Sequence, residues 1–441
     1  MTESAGPPPE PRHPGDDDAA GPATHGPGAG SSPTGAGTAR RRRRWLRYTA
    51  IGLGVVVLAA GGTGWAVYEK LQGNITEDTD AAAELARYEK ERPTSLVRGA
   101  QNILLIGSDS RAGAGNRKYG RDSGTQRSDT TILLHISADH KRALAVSLPR
   151  DLMVDIPSCR THKGTRSGPM FAMFNYAFEQ GGSACTIRTV EKLTGIRVDH
   201  HMIVDFSGFK DMVDAVDGVA VCLTEPMNDR AAHLKLPAGK QTLNGEQALG
   251  YVRARKSLGN GSDTDRMDRQ QQFLGALVNK VQSNQVLLNP TKLYPVLDAA
   301  TSSLTTDPGL ASLRGLYNLV RGMRDIPTEH VQFLTVPRRS YIYNANRDQL
   351  VQPAAEQLFT QLRTDAPVVV AKKTPKESSA QSSSDGSGED SSDTDNMAYE
   401  HDGYDDGKPG DPSAMSGSSP GSSPTPAPTF RGNTAAQDAC G

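Results

Sequence analysis

The chain has 441 residues, with 49 Lys and Arg against 50 Asp and Glu, and its formal charge of −1 averages a basic run near the N-terminus and an acidic far tail, so net charge names no partner. The length would allow two or three average domains, but residues 1–39 are dominated by Pro, Gly, Ala, Ser, Thr and Asp, and the residues from about 371 onward by Ser, Asp, Gly and Pro. Neither stretch can bury enough apolar surface to offset the entropy of ordering, which excludes a second large core and leaves one globular domain over residues 99–365.

Residues 1–47 read as a disordered cytoplasmic N-terminus ending in "RRRRRWLR" (40–47). The next segment, 48–68, carries no charged residue: "YTAIGLGVVVLAAGGTGWAVY". At about 1.5 Å per residue it spans the roughly 30 Å hydrocarbon layer of a bilayer. Trp45, Tyr48, Trp65 and Tyr68 lie at its two ends, where amphipathic rings prefer the interface. The arginines hold the N-terminus in the cytoplasm, so the predicted topology is a single-pass anchor in the cell membrane with the domain outside. A cleaved signal peptide is the competing reading, but the charge-free run is long for one and no clear A-x-A site follows. Residues 69–98 are polar and helix-prone and are expected to form an extracellular stalk. Residues 366–441 are expected to be a disordered acidic tail rich in Ser, Gly and Pro.

The four cysteines then lie in a disulfide-permissive compartment. Cys159 and Cys185 sit in loop-like stretches, "PSCRTHKG" and "GGSACTI", and are expected to pair. Cys222, in the apolar run "VAVCL", reads as a buried thiol, and Cys440 falls in the tail.

Apolar runs ending in turn residues predict strands over 102–107, 130–137 and 143–149. "GPMFAMFNYAFEQGG" (168–182) predicts a helix that is apolar nearly all round, and residues 186–193 another. A strand over 200–206 leads to a helix capped by Ser207, then a strand over 218–223. Asn244 with Gln247 three residues on is a capping box for a helix over 245–252. Helices over 264–282, 291–301 and 310–323, a strand over 331–337 and a closing helix over 349–363 complete the pattern. Alternating strands and helices without repeats predict an α/β fold.

Three strand ends carry ionic groups: Asp109 and Arg111 after the first strand, Arg127 and Asp129 before the second, Arg150 and Asp151 after the third. Taken singly, each has a bland account as a turn residue or a surface pair. The segment "GYVRARKSLGNGSDTDRMDRQQQF" (250–273) changes the weighing. Arg266 and Arg269 share a helix face with Gln270, and Arg253 and Arg255 have no acidic neighbour close in sequence. Guanidinium forks match phosphate oxygens two at a time. Two carboxylates beside a phosphate call for a cation between them, and Mg²⁺ binds through one or two carboxylates plus substrate phosphates. The sequence has no Walker loop, no HExxH or zinc spacing and no Gly-x-Ser-x-Gly elbow. His200 and His201 open a strand and read as structural.

The ordered motifs "NILLIGSDSR", "RSDTTILLHI", "AVSLPRDLMVDIP", "FNYAFEQGG" and "LNGEQALGYVRAR…DTDRMDRQQQF" closely resemble the LytR–CpsA–Psr (LCP) domain. The resemblance spans residues 102–281. It implies a mixed β-sheet sandwiched between helices, preceded here by one transmembrane helix, and an apolar channel for a lipid, for which the 168–182 helix is the candidate. It implies a phosphotransferase that moves a glycopolymer, such as a teichoic-acid- or arabinogalactan-like polymer, from a polyprenyl-pyrophosphate carrier onto peptidoglycan. Its implied partners are that carrier-linked polymer, peptidoglycan and the lipid bilayer, with no nucleic acid. Carried over by motif, Asp109 and Asp129 would hold Mg²⁺ (or Mn²⁺). Arg111, Arg127, Arg150, Arg253, Arg255, Arg266 and Arg269, with Gln270 and Gln271, would surround the pyrophosphate, and Asp109, Arg127, Arg150, Arg253 and Arg255 would act in catalysis. The spacer "KSLGNGSDTD" between Arg255 and Arg266 is longer than the family pattern. The alternative is a non-catalytic envelope protein that binds polyanions or acts as an attenuator-like regulator.

Overall fold

The computed structural model describes residues 36–108, 128–230, 232, 234–254, 263–282, 290–372 and 428–437. The chain divides into two units, Met1–Trp65 and Ala66–Gly441. In the first unit the described residues belong to one helix, α1 (Ala36–Asn74), which carries a stretch, Arg44–Asn74, long and apolar enough to cross a membrane. Ile51, Leu53, Val55, Leu58 and Trp65 are all exposed on it. A helix that is apolar all round belongs in a core or in lipid.

In the second unit the end of α1 is followed by β1 (Thr76–Glu77), α2 (Thr79–Arg87), β2 (Gln101–Ser108), β3 (Ser128–Ile136), β4 (Ala143–Leu148), β5 (Met153–Ile156) and β6 (Met170–Met173). Next come α3 (Asn175–Thr194), β7 (His200–Val204), α4 (Phe206–Ala215), β8 (Val219–Leu223), β9 (Met227–Asp229), β10 (Leu234–Leu236), β11 (Gly239–Leu243), α5 (Gly245–Arg253) and α6 (Asp263–Gln282). The remainder is α7 (Pro290–Ser303), β12 (Leu304–Thr306), α8 (Leu313–Arg324), β13 (Val331–Thr335), β14 (Arg338–Tyr341), β15 (Asn344–Leu350), α9 (Ala354–Arg363), β16 (Val369–Lys372) and β17 (Thr429–Thr434).

Nine strands form one mixed sheet in the order β1-β12-β7-β2-β3-β4-β13-β17-β16. Strands β2, β3 and β4 are antiparallel neighbours, while β7 runs parallel to β2 and β13 parallel to β4. Both faces are covered, which is why the central strands read as continuous apolar runs. On one face Leu104, Leu133 and Val146 pack with Ala81 and Leu85 of α2, Ile187 of α3 and Phe359 of α9. On the other, Ile103, Ile132 and Phe333 meet Leu274 of α6 and Leu319 of α8. A third cluster joins Val213 of α4, Val219 of β8, Tyr251 of α5 and Phe273 of α6. The expected mixed sheet between helices is the observed architecture.

Several expectations are corrected. The predicted 168–182 helix is strand β6 followed by α3, which is kinked at Gly181 and Gly182. The apolar run there serves two roles: Phe171 on β6 is exposed, while Phe174 and Phe178 are core. A Cβ on Gly181 would meet the Arg160 carbonyl oxygen at 2.6 Å, so the kink admits the loop that the Cys159–Cys185 disulfide ties down. That pairing is as expected. Cys222 is not a thiol: it is disulfide-bonded. It is half-buried because β8 alternates, sending Val219, Val221 and Leu223 into the core and Cys222 to the other face. Its sulfur partner is not among the described residues.

Residues 69–98 are not a free stalk. Leu71, Ala81, Leu85 and Tyr88 are buried, and Arg92 makes an ion pair at 2.7 Å with the buried Glu191. Part of the predicted tail also belongs to the fold, since β17 inserts between β13 and β16. The helix after β7 is capped by Asp205, whose side chain accepts from Gly208 N, rather than by Ser207. The closing helix starts at Ala354, because the residues before it form β15.

Candidate functional site

The topology brings five strand ends to one edge of the sheet. Ser108 at the end of β2 lies opposite Ser128 at the start of β3, and Leu148 at the end of β4 lies opposite Thr131. Thr335, closing β13, is beside Ser147, and Val204, closing β7, is beside Gly107. Asp129 and Arg150 therefore leave the sheet on the same side. Open α/β sheets bind ligands outside such strand ends.

Arg150 is held there by two carboxylates. Its Nη1 donates to Asp129 Oδ1 at 2.9 Å and its Nε to Asp151 Oδ2 at 3.2 Å. Asp151 in turn faces Arg347 Nη1 at 3.6 Å, and its carbonyl accepts from the Asp348 amide at 3.1 Å. Arg338 pairs with Asp348. The site thus leans on the β14–β15 hairpin through a chain of ion pairs.

Helices α5 and α6 carry the described arginines of the arginine-rich segment, and α6 adjoins the same edge through Gln271. The capping box, with Asn244 accepting from Gln247 N and the Gln247 side chain accepting from Asn244 N, fixes the start of α5. Its last residue, Arg253, lies with its guanidinium 4.4 Å over the ring of Phe206, the first residue of α4, an arrangement that favours the cation. On α6, Arg266 retains 4% and Arg269 7% of full exposure. That burial excludes a solvated face of i,i+3 surface pairs, which leaves long side chains in water. Arg269 Nη2 donates to the Ala254 carbonyl, while its Nε has no hydrogen-bond partner among the described residues. Burial lowers the guanidinium pKa from its ordinary value, and likewise raises that of the adjacent Tyr251 phenol.

The two glutamines have other partners than a phosphate. Gln270 Nε2 donates to the Val252 carbonyl at 3.1 Å. Buried Gln271 Nε2 donates to Ser147 Oγ at 3.1 Å and Thr335 Oγ1 at 3.0 Å, which fastens α6 to the ends of β4 and β13. Asp109, Arg111, Arg127 and Arg255 lie outside the described residues. Of the groups read from sequence, Arg150, Asp129, Arg253, Arg266, Arg269, Gln270 and Gln271 are brought to this region. Asp151 was read from sequence only as an ionic group at a strand end, and Phe206, Arg338, Arg347 and Asp348 were not read as site residues. Their roles come from long-range pairing, such as the Leu152–Asp348 bridge, which leaves no local signal.

Among the described residues no group of three or more His, Cys, Asp and Glu side chains is arranged to hold a metal. Asp129 offers a carboxylate of which Arg150 engages only Oδ1. One carboxylate completed by substrate phosphates is a donor set that Mg²⁺ accepts, so the residues fit such an ion. His200 and His201 are structural: His200 pairs with Asp307 at 3.0 Å and buried His201 with Asp78 at 3.1 Å.

Three comparisons bear on this arrangement. Residues 70–364 match the LytR_cpsA_psr family. The chain is 36% identical over 293 residues to the "Probable cell wall biosynthesis protein LcpB" of Corynebacterium glutamicum, covering 64% of this chain and 66% of that protein, just under two-thirds of its length. It is 28% identical over 331 residues to the polyisoprenyl-teichoic acid–peptidoglycan teichoic acid transferase TagT of Bacillus subtilis, covering 72% of this chain and 94% of that one. Among solved structures, protein gbs0355 of Streptococcus agalactiae superposes with a TM-score of 0.50 at 21% identity, over 62% of this chain and 92% of the other, a likeness of fold. By the family match over most of its length, this chain belongs to the LytR–CpsA–Psr family.

Proposed function

We propose that the chain is a membrane-anchored, extracytoplasmic phosphotransferase that moves a glycopolymer from a polyprenyl-pyrophosphate carrier onto peptidoglycan. The observation that carries this reading is the Arg150–Asp129 pair at the strand ends, beside helix α6, which Gln271 fastens there and which carries the buried Arg266 and Arg269. The activity for which TagT is named supports the substrate class, and the apolar span in α1 supports the anchor.

A pyrophosphate diester carries about two negative charges, and each hydrogen bond from a cationic donor to it contributes roughly 1.5–3 kcal/mol. Arg266 and Arg269 act from a buried position, where screening by water is weak. Arg150, held by Asp129 through Nη1 and by Asp151 through Nε, has the direction of its planar guanidinium set before substrate arrives. In the reaction an acceptor sugar hydroxyl forms a new P–O bond at the phosphorus that bears the glycopolymer. The bridging P–O bond breaks, polyprenyl phosphate leaves with its electron pair, and the hydroxyl proton is released. The product is a phosphodiester between polymer and peptidoglycan. The arginines stabilise the charge that builds on the leaving phosphate. Asp129, with Asp109 from the sequence reading, would hold Mg²⁺, which supplies charge neutralisation at the phosphates when bound.

The test is transfer from a synthetic polyprenyl-pyrophosphoryl glycan to peptidoglycan by the purified full chain. Arg150→Ala should lose about 10²–10³-fold in rate, the size of losing one preorganised donor to developing charge. Arg150→Lys should not restore it, since a point charge cannot reproduce the planar fork. Full activity in Arg150→Lys would overturn the argument from the planar guanidinium.

A further inference from the structure

We propose that Phe171, Tyr341 and Tyr343 form an aromatic platform on which sugar rings of the acceptor peptidoglycan strand stack; the proposal rests on the transferase reading above. These rings touch one another outside the core. Phe171 and Tyr341 lie 6.1 Å apart between centroids, and Tyr341 and Tyr343 lie 5.4 Å apart and edge-on. Phe171 is 53% exposed, Ile342 68% and Tyr343 81%. A cluster of large apolar groups kept in water on the β14–β15 turn and on neighbouring β6 marks an interaction surface. Rigid aromatic rings give much contact area at low conformational cost, and the phenol ends keep a polar handle.

The composition around the rings fits a sugar. The tip "RRSYIYNANR" (338–347) has no carboxylate and exposes Arg339, Asn344 and Asn346 beside the aromatic faces. A pyranose presents C–H groups on its faces and hydroxyls at its rim, which match rings flanked by amides and a guanidinium. A lipid surface would favour an uninterrupted apolar tip, and these polar residues interrupt it.

Position selects the acceptor. Arg347 of the same hairpin contacts Asp151 at 3.6 Å, Asp151 contacts Arg150 at 3.2 Å, and Arg150 contacts Asp129 at 2.9 Å. Tyr343 precedes Arg347 by four residues, about 13 Å at roughly 3.3 Å per residue along a strand. The platform therefore stands a few sugar units from Arg150. A glycan strand offers a ring at every unit and runs past the attacked hydroxyl in both directions. A donor polymer starts at the phosphate and leaves it in one direction only.

The experiment uses the full chain in detergent, wild type against Phe171→Ala, Tyr343→Ala and Tyr343→Phe. The probe is soluble, uncrosslinked peptidoglycan glycan strands, titrated by calorimetry with no donor present. Each alanine variant should weaken glycan binding about tenfold, the order of one aromatic stacking contact, and raise the acceptor KM with kcat nearly unchanged. Tyr343→Phe should bind like wild type. Three results would overturn the platform: no glycan binding by wild type, unchanged binding in both alanine variants, or a loss confined to anionic lipid vesicles or to the polyprenyl-pyrophosphoryl donor. Because the titration needs no turnover, the two claims separate. A wild type that binds glycan through these rings but transfers nothing sinks the transferase reading alone, and active alanine variants with unchanged KM sink the platform alone.

Discussion

Truncating Phe430 tests whether the returning C-terminal strand is part of the folded unit. Strand β17 pairs antiparallel with β13, Leu334 opposite Gly432, and parallel with β16. Phe430 is buried from it into the cluster that holds Leu334, Leu358 and Phe359. Removing a buried Phe side chain costs about 3–5 kcal/mol. At roughly 2–4 °C per kcal/mol for a domain of this size, Phe430→Ala should lower Tm by about 6–20 °C. Gly432 supplies a second, sharper perturbation. A Cβ there would lie 2.2 Å from the Phe333 carbonyl oxygen and 2.7 Å from Val370 Cγ1. The first contact is with backbone, which cannot give way, so Gly432→Ala should unseat the strand and cost at least as much as Phe430→Ala. Thermal and urea unfolding of the full chain measure both, and limited proteolysis should release a C-terminal tag faster from each variant. If both variants melt within about 2 °C of wild type, the strand contributes nothing and the reasoning fails, because a buried Phe cannot be that cheap to remove.

The other predictions concern pH and topology. His200 Nδ1 hydrogen-bonds Asp307 Oδ2, which raises the imidazole above its ordinary value of 6.5. A raised histidine contributes stability that is fully present below the unfolded value near 6.5 and is lost as pH rises through the folded value. The stability difference between wild type and Asp307→Asn, measured by urea unfolding from pH 5 to 9, should therefore be largest at the acid end and shrink upward; a difference that grows with pH would reject the pairing. For topology, protease added to intact protoplasts should remove the folded domain and spare the Arg-rich N-terminus, and a domain that survives contradicts an outward orientation.

What was legible in the sequence was what is local. Strands β2, β3 and β4 announced themselves because both their faces are covered, and α5 because Asn244 and Gln247 close a capping box within one turn. The arginines of α6 stood out by number, although their burial did not. The resemblance to a family supplied the roles that spacing could not. What was missed is mostly non-local. The β5–β6 and β14–β15 hairpins meet through residues far apart in sequence, such as the Leu152–Asp348 bridge and the Phe171–Tyr341 rings, so nothing in "GPMFAMF" distinguishes a paired strand from an apolar helix. Strand β17 is six residues long and follows a stretch of Ser, Gly and Pro, too short for a periodic signal to rise above its surroundings. The supposed stalk is a different case. Ala81, Leu85 and Tyr88 follow the i, i+4, i+7 spacing of a core-facing stripe, and that signal was present in the sequence.

The most direct test of the central claim is the mass balance of the transfer itself. The purified full chain, given a polyprenyl-pyrophosphoryl glycan and peptidoglycan, should release one polyprenyl phosphate for each polymer attached, and mass spectrometry should find the two joined by a phosphodiester. Folded protein that binds the donor yet releases no polyprenyl phosphate and forms no such bond would contradict the account and leave a polymer-binding envelope protein in its place.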